Sequence, residues 1–461
     1  MADGGDFVFR PAVPPRAKRP AGLLKFLWRN WRDPLTAYSE PHFTRPFIFF
    51  ARRGGTAAIN VTDPAGVRHV LLDNAKNYEK GAFQRRIFGP LITDGLLLAE
   101  GEDWRRTRRI IAPLFTPARI GKLAVQMYDV SARRVTAWPL PDGAQSAVLD
   151  IDAEMTRITF EIISQTMFSN MLGGEADPFE RAFKGFVDTT GRIEPLDLLG
   201  APAWIPRLGA LTGARHVAFF ERRMRSLIDQ RRAMLEAGEA PKDLLSALLR
   251  ARDAEDGGAL SEAEVVANLL TFIVAGHETT ARALGWVLHL LSRTPDVQAR
   301  LQAEADAFDP ADPDWQAALP WTRAVLDETM RLFPPAPTTV RFAIEPDVIC
   351  GQPIPAGTRV AVSPYIIHRH KTLWRDPEGF RPERFLPGAR ETIDRFSYLP
   401  FSQGPRICIG ATFAIQQGLM ALAAIMKAVE VSPSGAPEPM PSHRITLRAK
   451  GGIVLRVRRR M

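Results

Sequence analysis

Residues 401–410 read Phe401-Ser402-Gln403-Gly404-Pro405-Arg406-Ile407-Cys408-Ile409-Gly410 and place one cysteine between two glycines, just ahead of an apolar run. Gly404 and Gly410 indicate positions where the backbone turns tightly or approaches something bulky. The run 411–429 is typical of a buried helix, and the free N–H groups at a helix N-terminus favour a thiolate over a thiol. Cys408 is therefore a candidate ligand for iron, with an ordinary small buried residue as the alternative.

The spacing Phe-x-x-Gly-x-Arg-x-Cys-x-Gly in this stretch resembles the haem-binding loop of the cytochrome P450 superfamily. In that family the cysteine thiolate is the axial ligand of haem iron. The resemblance therefore implies that Cys408 binds the iron of haem b and that Phe401, Arg406 and Gly410 belong to the loop around it. One short loop does not establish a fold, so the rest of the chain has to supply independent matches.

A long central helix is the second feature. Ser261-Glu262-Ala263-Glu264 forms a capping box, and the apolar pattern after it continues to Ser292, before Pro295. About thirty helical residues span on the order of 45 Å, enough to cross the molecule. Midway, 275–280 read Ala275-Gly276-His277-Glu278-Thr279-Thr280, where a glycine and polar groups replace better-packing leucines. A threonine hydroxyl beside a carboxylate can relay protons into a dry site, whereas a tolerated kink is the alternative.

This midpoint resembles the oxygen-activating helix of the same superfamily. The resemblance implies that Thr279 positions bound dioxygen and that Glu278 helps to deliver protons. Ala275 and Gly276 are expected to border the haem, because a glycine permits a large flat ligand to approach the backbone. His277 occupies a variable position and receives no role.

A third match is Glu328-Thr329-Met330-Arg331, on a helix predicted from Trp321 to Phe333. Glutamate and arginine three apart on a helix are commonplace as a surface pair. Together with Arg384 in Pro382-Glu383-Arg384-Phe385, however, they resemble the Glu-Arg-Arg cluster that locks the P450 scaffold behind the cysteine loop. A carboxylate buried between two guanidiniums must be fully hydrogen-bonded, so loss of Glu328 would strand two charges.

Four residues are candidates for binding the haem propionates, by the same resemblance: Trp104, Arg108, Arg341 and Arg406. Trp104 and Arg108 lie four apart on a helix predicted to begin at Gly101, so they share a face. The alternative for this arginine-rich run is a solvated or generic anion-binding face. Both interpretations are compatible, because Arg105, Arg106 and Arg109 can meet an acidic partner while Arg108 faces the haem.

The candidate substrate pocket is apolar. Residues 83–98 are predicted to form a loop, which in the family roofs the active site. Fatty acids, terpenoids, steroids and aromatics all remain open as substrates. The predicted pocket residues are Phe83, Phe88, Leu97, Val274, Thr338, Thr339 and Val340.

Composition restricts the class of protein. The 461 residues are 46% hydrophobic and 24% charged, as in an ordinary soluble globular protein, and the net charge of +9 favours an acidic protein partner. No motif favours nucleic acid. Cys350 and Cys408 are the only cysteines, so a disulfide framework is absent and a cytoplasmic location fits. The sequence has no uninterrupted run of about eighteen apolar residues, so a membrane-spanning helix is not predicted. The amphipathic segment 23–31 is predicted to pack as an entry helix, with a peripheral membrane contact as the alternative.

These features predict a mainly α fold with small β-sheets, the cytochrome P450 fold. Residues 1–44 are expected to form an extension with the entry helix, and 45–461 a single haem-thiolate domain. Hairpins are predicted at 46–61, around 349–362, and at 445–457, the last turning at Gly451-Gly452.

The resemblance implies monooxygenation: one atom of O2 enters a C–H bond of the substrate and the other leaves as water. Only about fifty residues follow Cys408, so electrons are expected from a separate acidic ferredoxin or flavodoxin with its reductase. Two alternatives stay open. One is a peroxide-using haem-thiolate hydroxylase or an isomerase, and the other is a non-catalytic haem sensor or carrier.

Overall fold

The computed structural model describes residues 8–53, 56–92, 95–141, 145–189 and 208–460. About 54% of the chain is helical, which confirms the predicted fold class. The helices are α1 Leu23–Arg32, α2 Pro64–Arg68, α3 Gly81–Ile92, α4 Gly101–Ile111, α5 Pro117–Gly121, α6 Ala124–Thr136, α7 Ile151–Phe168, α8 Ala176–Asp188, α9 Leu208–Glu236, α10 Leu244–Arg250, α11 Glu262–Arg293, α12 Pro295–Ala307, α13 Pro320–Leu332, α14 Pro364–Ile367 and α15 Ala411–Ala428.

The strands form small peripheral sheets. A mixed sheet has the order β1-β2-β8-β5-β3, a second has the order β4-β12-β9, and β6-β7 and β10-β11 are two-stranded. The strands are β1 Phe47–Arg53, β2 Thr56–Val61, β3 Tyr78–Glu79, β4 Ser146–Asp150, β5 Thr339–Ala343, β6 Asp347–Ile349, β7 Gln352–Ile354, β8 Arg359–Val362, β9 Val429–Pro433, β10 Met440–His443, β11 Leu447–Lys450 and β12 Val454–Arg459.

The 32-residue helix α11 lies at the centre of the molecule and confirms the predicted long helix. The Ser261 hydroxyl accepts a hydrogen bond from the Glu264 N–H, and the Glu264 carboxylate accepts one from the Ser261 N–H at 2.7 Å, so the capping box is present. Most of α11 is buried, packed against α7, α13 and α15. A helix enclosed in this way can present polar groups only toward other buried groups or toward a ligand.

Two predicted elements differ in the structure. Residues 81–92 form helix α3 although the sequence predicts a loop from 83, because the buried Ile87, Leu91 and Ile92 pack inward despite Pro90. The predicted hairpin of 445–457 is wrong in its pairing: β11 pairs with β10, whereas β12 pairs with β4 and β9. Apolar alternation locates strands but does not say which strands pair.

One helix in the described part of the chain, α15, has the length and hydropathy of a membrane span. It begins directly after the cysteine loop, and 67% of it is buried inside the protein. Its apolar character is therefore accounted for by its place in the core, against α6 and α12.

Residues 8–44 pack closely on the rest of the chain. The Phe380 N–H donates to the Phe9 carbonyl at 2.9 Å, and Lys371 pairs with Glu40 at 3.0 Å. The entry helix α1 is present, and its residues Phe26 and Asn30 line a cavity described below.

Candidate functional site

The cysteine loop folds back on itself. Gly404 has φ +77°, and a Cβ built on it would lie 1.8 Å from the Leu71 carbonyl oxygen, so only glycine fits there. The Cys408 N–H donates to the Phe401 carbonyl at 3.0 Å, which fixes the cysteine at the start of α15. Gly410 has an ordinary φ of −89°. The predicted tight turn is thus present at Gly404, whereas at Gly410 the other alternative, the approach of a bulky group, stays a prediction, since no atom of the described residues beyond its chain neighbours lies within 4 Å of a Cβ built there.

The Cys408 side chain is crowded by protein but open on one side, where it keeps exposed surface. Burial raises the pKa of the thiol, and the Gly410 N–H and the Arg108 guanidinium lower it only in part. The helix N-terminus therefore does not suffice to keep Cys408 as a free thiolate, because burial has the larger effect. A metal cation bound at the sulfur would stabilise the thiolate form.

Helix α11 carries an open stripe at its midpoint. Ala275 is exposed and Val274 and Thr279 are half-buried, whereas Ile273 and His277 beside them are buried. The Thr279 hydroxyl donates to the Ala275 carbonyl at 2.6 Å, so its oxygen keeps lone pairs for another donor. Ala275 and Thr279 lie one turn apart on the same face, which gives a flat group access to the backbone between them.

Gly276 does not belong to this stripe. A Cβ at Gly276 would meet Ile163 Cδ1 of α7 at 2.8 Å, so this glycine permits close packing of two helices. This packing accounts for the missing side chain at position 276, and the expectation that the Gly276 backbone borders the haem stays a prediction.

Glu278 points away from the stripe and is fully ion-paired. Its carboxylate accepts hydrogen bonds from Arg282 at 3.1 Å, from the Thr446 hydroxyl at 2.8 Å, and from Arg448 Nε at 2.9 Å. Burial by itself raises the pKa of Glu278, but Arg282 and Arg448 outweigh it and lower the pKa to about 2. A carboxylate held in this way stays ionised at neutral pH and is a poor proton donor.

Two buried cations, Lys80 and Arg341, lie beside the cysteine loop together with the half-buried Arg406, and Glu100 is the carboxylate paired with this group. Arg341 is 7% exposed, donates only to the Val340 carbonyl at 2.9 Å, and has no ion-pair partner among the described residues. Burial, followed by repulsion from Arg406, lowers the pKa of Arg341 to about 10 and that of Lys80 to about 7. Arg406 pairs with Glu100 and lies over the Trp104 ring at 4.6 Å.

This surplus of positive charge predicts that anionic groups bind there, since unpaired buried cations are costly. Lys80 and Glu100 were missed by sequence reasoning, because neither belongs to a motif and they meet Arg406 only through the fold. Lys80 is additionally held by the Leu97 carbonyl at 2.6 Å. Arg108 donates to the Ile407 carbonyl at 2.8 Å and so ties α4 to the loop.

In the Glu328 cluster, Glu328 and Arg331 are fully buried and Arg384 is half-buried. Arg331 donates to Glu328 through Nε at 2.6 Å and through Nη2 at 2.7 Å, and Arg384 Nε lies 3.5 Å from the same carboxylate. Arg331 also donates to the carbonyls of His368, Pro377 and Gly379. The cluster therefore ties α13 to the segment 368–384, as the motif implied.

The predicted pocket residues are only partly brought together. Phe88, Thr338 and Val340 line one cavity, together with α1. Thr339 faces the other side of its strand, Leu97 is 43% exposed, and Val274 flanks the open stripe instead. The side chain of Phe83 lies outside the described residues.

Comparisons with known proteins agree with this site. The cytochrome P450 family model matches residues 23–456, so the chain belongs to the cytochrome P450 family. It is 32% identical over 398 residues to cyclooctatin synthase of Streptomyces melanosporofaciens, covering 84% of this chain and 83% of the relative. It is 30% identical to cyclooctat-9-en-7-ol 5-monooxygenase of the same organism, covering 87% and 88%. The solved structure of the cytochrome P450DA heme domain matches with a TM-score of 0.80, 25% identity and 98% coverage of both chains.

The chain is thus a cytochrome P450 monooxygenase whose fold carries haem b. The residues present fit that cofactor. The excess of buried guanidinium and ammonium groups suits two propionates, and the open sides of Cys408 and of the Ala275–Thr279 stripe suit the metal and the flat ring.

Proposed function

We propose that this enzyme inserts one oxygen atom from O2 into a C–H bond of an apolar small molecule, using electrons from a separate redox partner. When bound, haem b supplies the reductive activation of dioxygen. The observation that carries the proposal is the group of Lys80, Arg341 and Arg406 beside the Cys408 loop. Among the described residues, only Glu100 lies within ion-pair distance of this group, which leaves positive charge for two propionates.

Each residue of the site has a proposed role. Cys408 would hold the haem iron through its sulfur, Arg341 and Arg406 would hold the propionates, and the Trp104 ring packs against the Arg406 guanidinium. Arg108 fixes the loop through the Ile407 carbonyl and can turn to a propionate. Thr279 holds a proton at Oγ1 on the open stripe.

Glu278 is retained in the proposal as a residue that shapes proton delivery. Its ion pairs with Arg282 and Arg448 favour a positioning role over direct donation from the carboxylate. In this role it fixes the turn of α11 that carries Thr279.

The redox partner is proposed to dock on the face of the cysteine loop. The arginines of α4 that the sequence suggests for docking are paired within the chain: Arg105 with Glu102, Arg106 with Glu264 at 2.8 Å, and Arg109 with Asp253 at 2.9 Å. Arg119, Lys122 and Arg395 are exposed and have no acidic partner within ion-pair distance among the described residues. All three lie beside the loop or beside α15, since Arg395 reaches Gln403 and the Ile120 carbonyl between the other two accepts a hydrogen bond from Gln416. An acidic ferredoxin or flavodoxin suits this patch.

We further propose a cytoplasmic location and keep the division into an extension, 1–44, and a catalytic domain, 45–461. The extension would close one wall of the substrate cavity, which Phe26, Asn30 and Tyr38 line.

The thiolate ligand is tested by replacing each cysteine in turn. Cys408→Ser should abolish the carbon monoxide difference band of the reduced, thiolate-ligated protein and should lower turnover by several orders of magnitude. Cys350→Ser is the matched control and should retain both, because Cys350 lies in the turn between β6 and β7. Normal carbon monoxide spectra from a folded, haem-loaded Cys408→Ser protein would contradict the proposal.

A further inference from the structure

The cavity lined by Phe88, Thr338 and Val340 contains a polar end that the proposed reaction does not use. Most of its wall is apolar and comes from α1, α3 and the sheet. Two arginines, Arg359 and Arg444, also line it.

The strand register places Arg359 on the cavity side of the sheet. Arg341 of β5 lies across from Val360 of β8, and Phe342 lies across from Arg359. Because side chains alternate between the two faces of a sheet, Arg341 and Arg359 project to opposite sides. Arg341 serves the propionate cluster, whereas Arg359 shares its face with Val340. The two arginines therefore have different partners.

Arg359 has no anionic partner. Its Nε is buried without a hydrogen-bond acceptor, and no acidic group of the described residues lies within ion-pair distance. Burial lowers the pKa of Arg359, and the nearby Tyr38 opposes this in part. Arg444, on the turn between β10 and β11, likewise has no acidic partner among the described residues.

Neighbouring groups at this end are donors or neutral. Asn60, 7% exposed, lies on the same sheet face across from Ala361. Burial lowers the pKa of His443 to about 4, so this imidazole is neutral at pH 7 and adds no further positive charge, and an imidazole cannot supply a negative one. The Tyr38 hydroxyl lies 3.0 Å from the Thr338 hydroxyl. The cavity therefore combines two guanidiniums and no carboxylate with an apolar wall.

We propose that the substrate is an apolar molecule bearing a carboxylate, which Arg359 and Arg444 bind while the apolar body extends past Phe88 and Val340. This names the substrate class of the proposed monooxygenase and so rests on that function. A guanidinium donates two parallel hydrogen bonds to a carboxylate, and the pairing removes the cost of an unpaired charge in an apolar cavity.

The test measures binding to the haem-loaded enzyme through the shift of the haem absorption band. The ligands are matched pairs of an acid and its neutral analogue: dodecanoic acid with 1-dodecanol, and abietic acid with abietinol. In at least one pair the acid should bind about tenfold to a hundredfold more tightly, the range expected for charge-assisted hydrogen bonds. This comparison needs no variant and is unaffected if a substitution prevents folding.

Arg359→Gln and Arg444→Gln should each reduce the preference for the acid and leave the affinity for the alcohol within about twofold. Arg359→Lys should restore part of the preference, since the charge remains. Arg375→Gln, an exposed arginine outside the cavity, is the matched control and should change nothing.

Two results would overturn the inference: equal binding of acid and alcohol in both pairs, or an Arg359→Gln protein that loses both ligands equally. Either result obtained with an intact carbon monoxide spectrum contradicts the carboxylate subsite alone. Loss of that spectrum from the unmodified protein would instead contradict the proposed function.

Discussion

At the scale of single residues, the motif identifies Glu278 but does not reveal its ion-pair partners or its protonation state. Glu278→Gln should lower the free energy of unfolding by about 3 kcal/mol, because Arg448 then loses its only ion-pair partner among the described residues, whereas Arg282 keeps Asp152 and Glu180. Chemical denaturation at pH 7 measures this. Glu102→Gln, at a side chain that is 78% exposed, is the control and should cost less than about 1 kcal/mol.

The pH dependence follows from the same ion pairs. The pKa of folded Glu278 is about 2, below the value of about 4.3 in an unfolded chain. Its stabilising contribution is therefore complete above the unfolded value and is lost as pH falls toward about 2. The stability difference between wild type and Glu278→Gln should shrink over that interval. A difference that shrinks near neutral pH instead would show that the carboxylate is not held by the two arginines.

Gly404 gives a second prediction at this scale. Gly404→Ala should abolish stable haem binding and cost more than about 3 kcal/mol, because φ is +77° and the new Cβ would overlap the Leu71 carbonyl oxygen, which is backbone and cannot move aside. Thermal unfolding and haem content measure this. Gly121→Ala, in α5 with no atom within 4 Å of its Cβ, should be neutral or slightly stabilising. A Gly404→Ala protein as stable as Gly121→Ala would contradict the close approach.

At this scale the sequence predicts residues that belong to a local motif, but not the partners that lie far from them along the chain. Cys408, Thr279 and Glu328 are found because each sits in a motif whose spacing is local. Arg448 lies 170 positions from Glu278, and the two are joined only when β11 packs on α11. Lys80 and Glu100 carry no local pattern at all. Partners brought together by tertiary packing therefore stay invisible to spacing arguments.

At the scale of elements, the Glu328 cluster holds α13 to the segment that precedes the cysteine loop. Glu328→Gln should lower the free energy of unfolding by about 3–5 kcal/mol and reduce haem retention, since Arg331 would keep an uncompensated buried charge. Glu383, the residue before Arg384, is the matched control because it is an exposed glutamate. It pairs with Arg300 at 3.8 Å, and both side chains are more than half exposed.

Glu383→Gln should cost less than about 1 kcal/mol and leave the haem spectrum unchanged. Equal losses for the two substitutions would show that the cluster does not lock these elements.

The sequence predicts the positions of helices correctly where the apolar periodicity is long, as in α11. Where the periodic segment is short, the predicted type of element is wrong. Residues 81–92 became helical through packing of Ile87 and Leu91, which outweighed the unfavourable proline at position 90.

At the scale of the whole molecule, the net charge of +9 does not by itself locate a docking face, because many arginines are paired internally. Arg119, Lys122 and Arg395, which have no acidic partner among the described residues, lie beside the cysteine loop or beside α15, and it is there that we propose the redox partner docks.

Reversal of these three charges to glutamate should slow reduction by an acidic ferredoxin at least about tenfold at low salt and flatten its dependence on ionic strength. Stopped-flow reduction under carbon monoxide measures the rate. Each of the three reversals is also made singly and compared with reversal of Arg375, an exposed arginine with no acidic partner among the described residues; every one of these single changes alters the net charge by two units, and that of Arg375 should have little effect. If reversal of Arg375 slows reduction as much as the other single reversals do, long-range attraction by total charge explains the rate and the proposed docking face is wrong; a selective loss identifies the surface through which electrons enter.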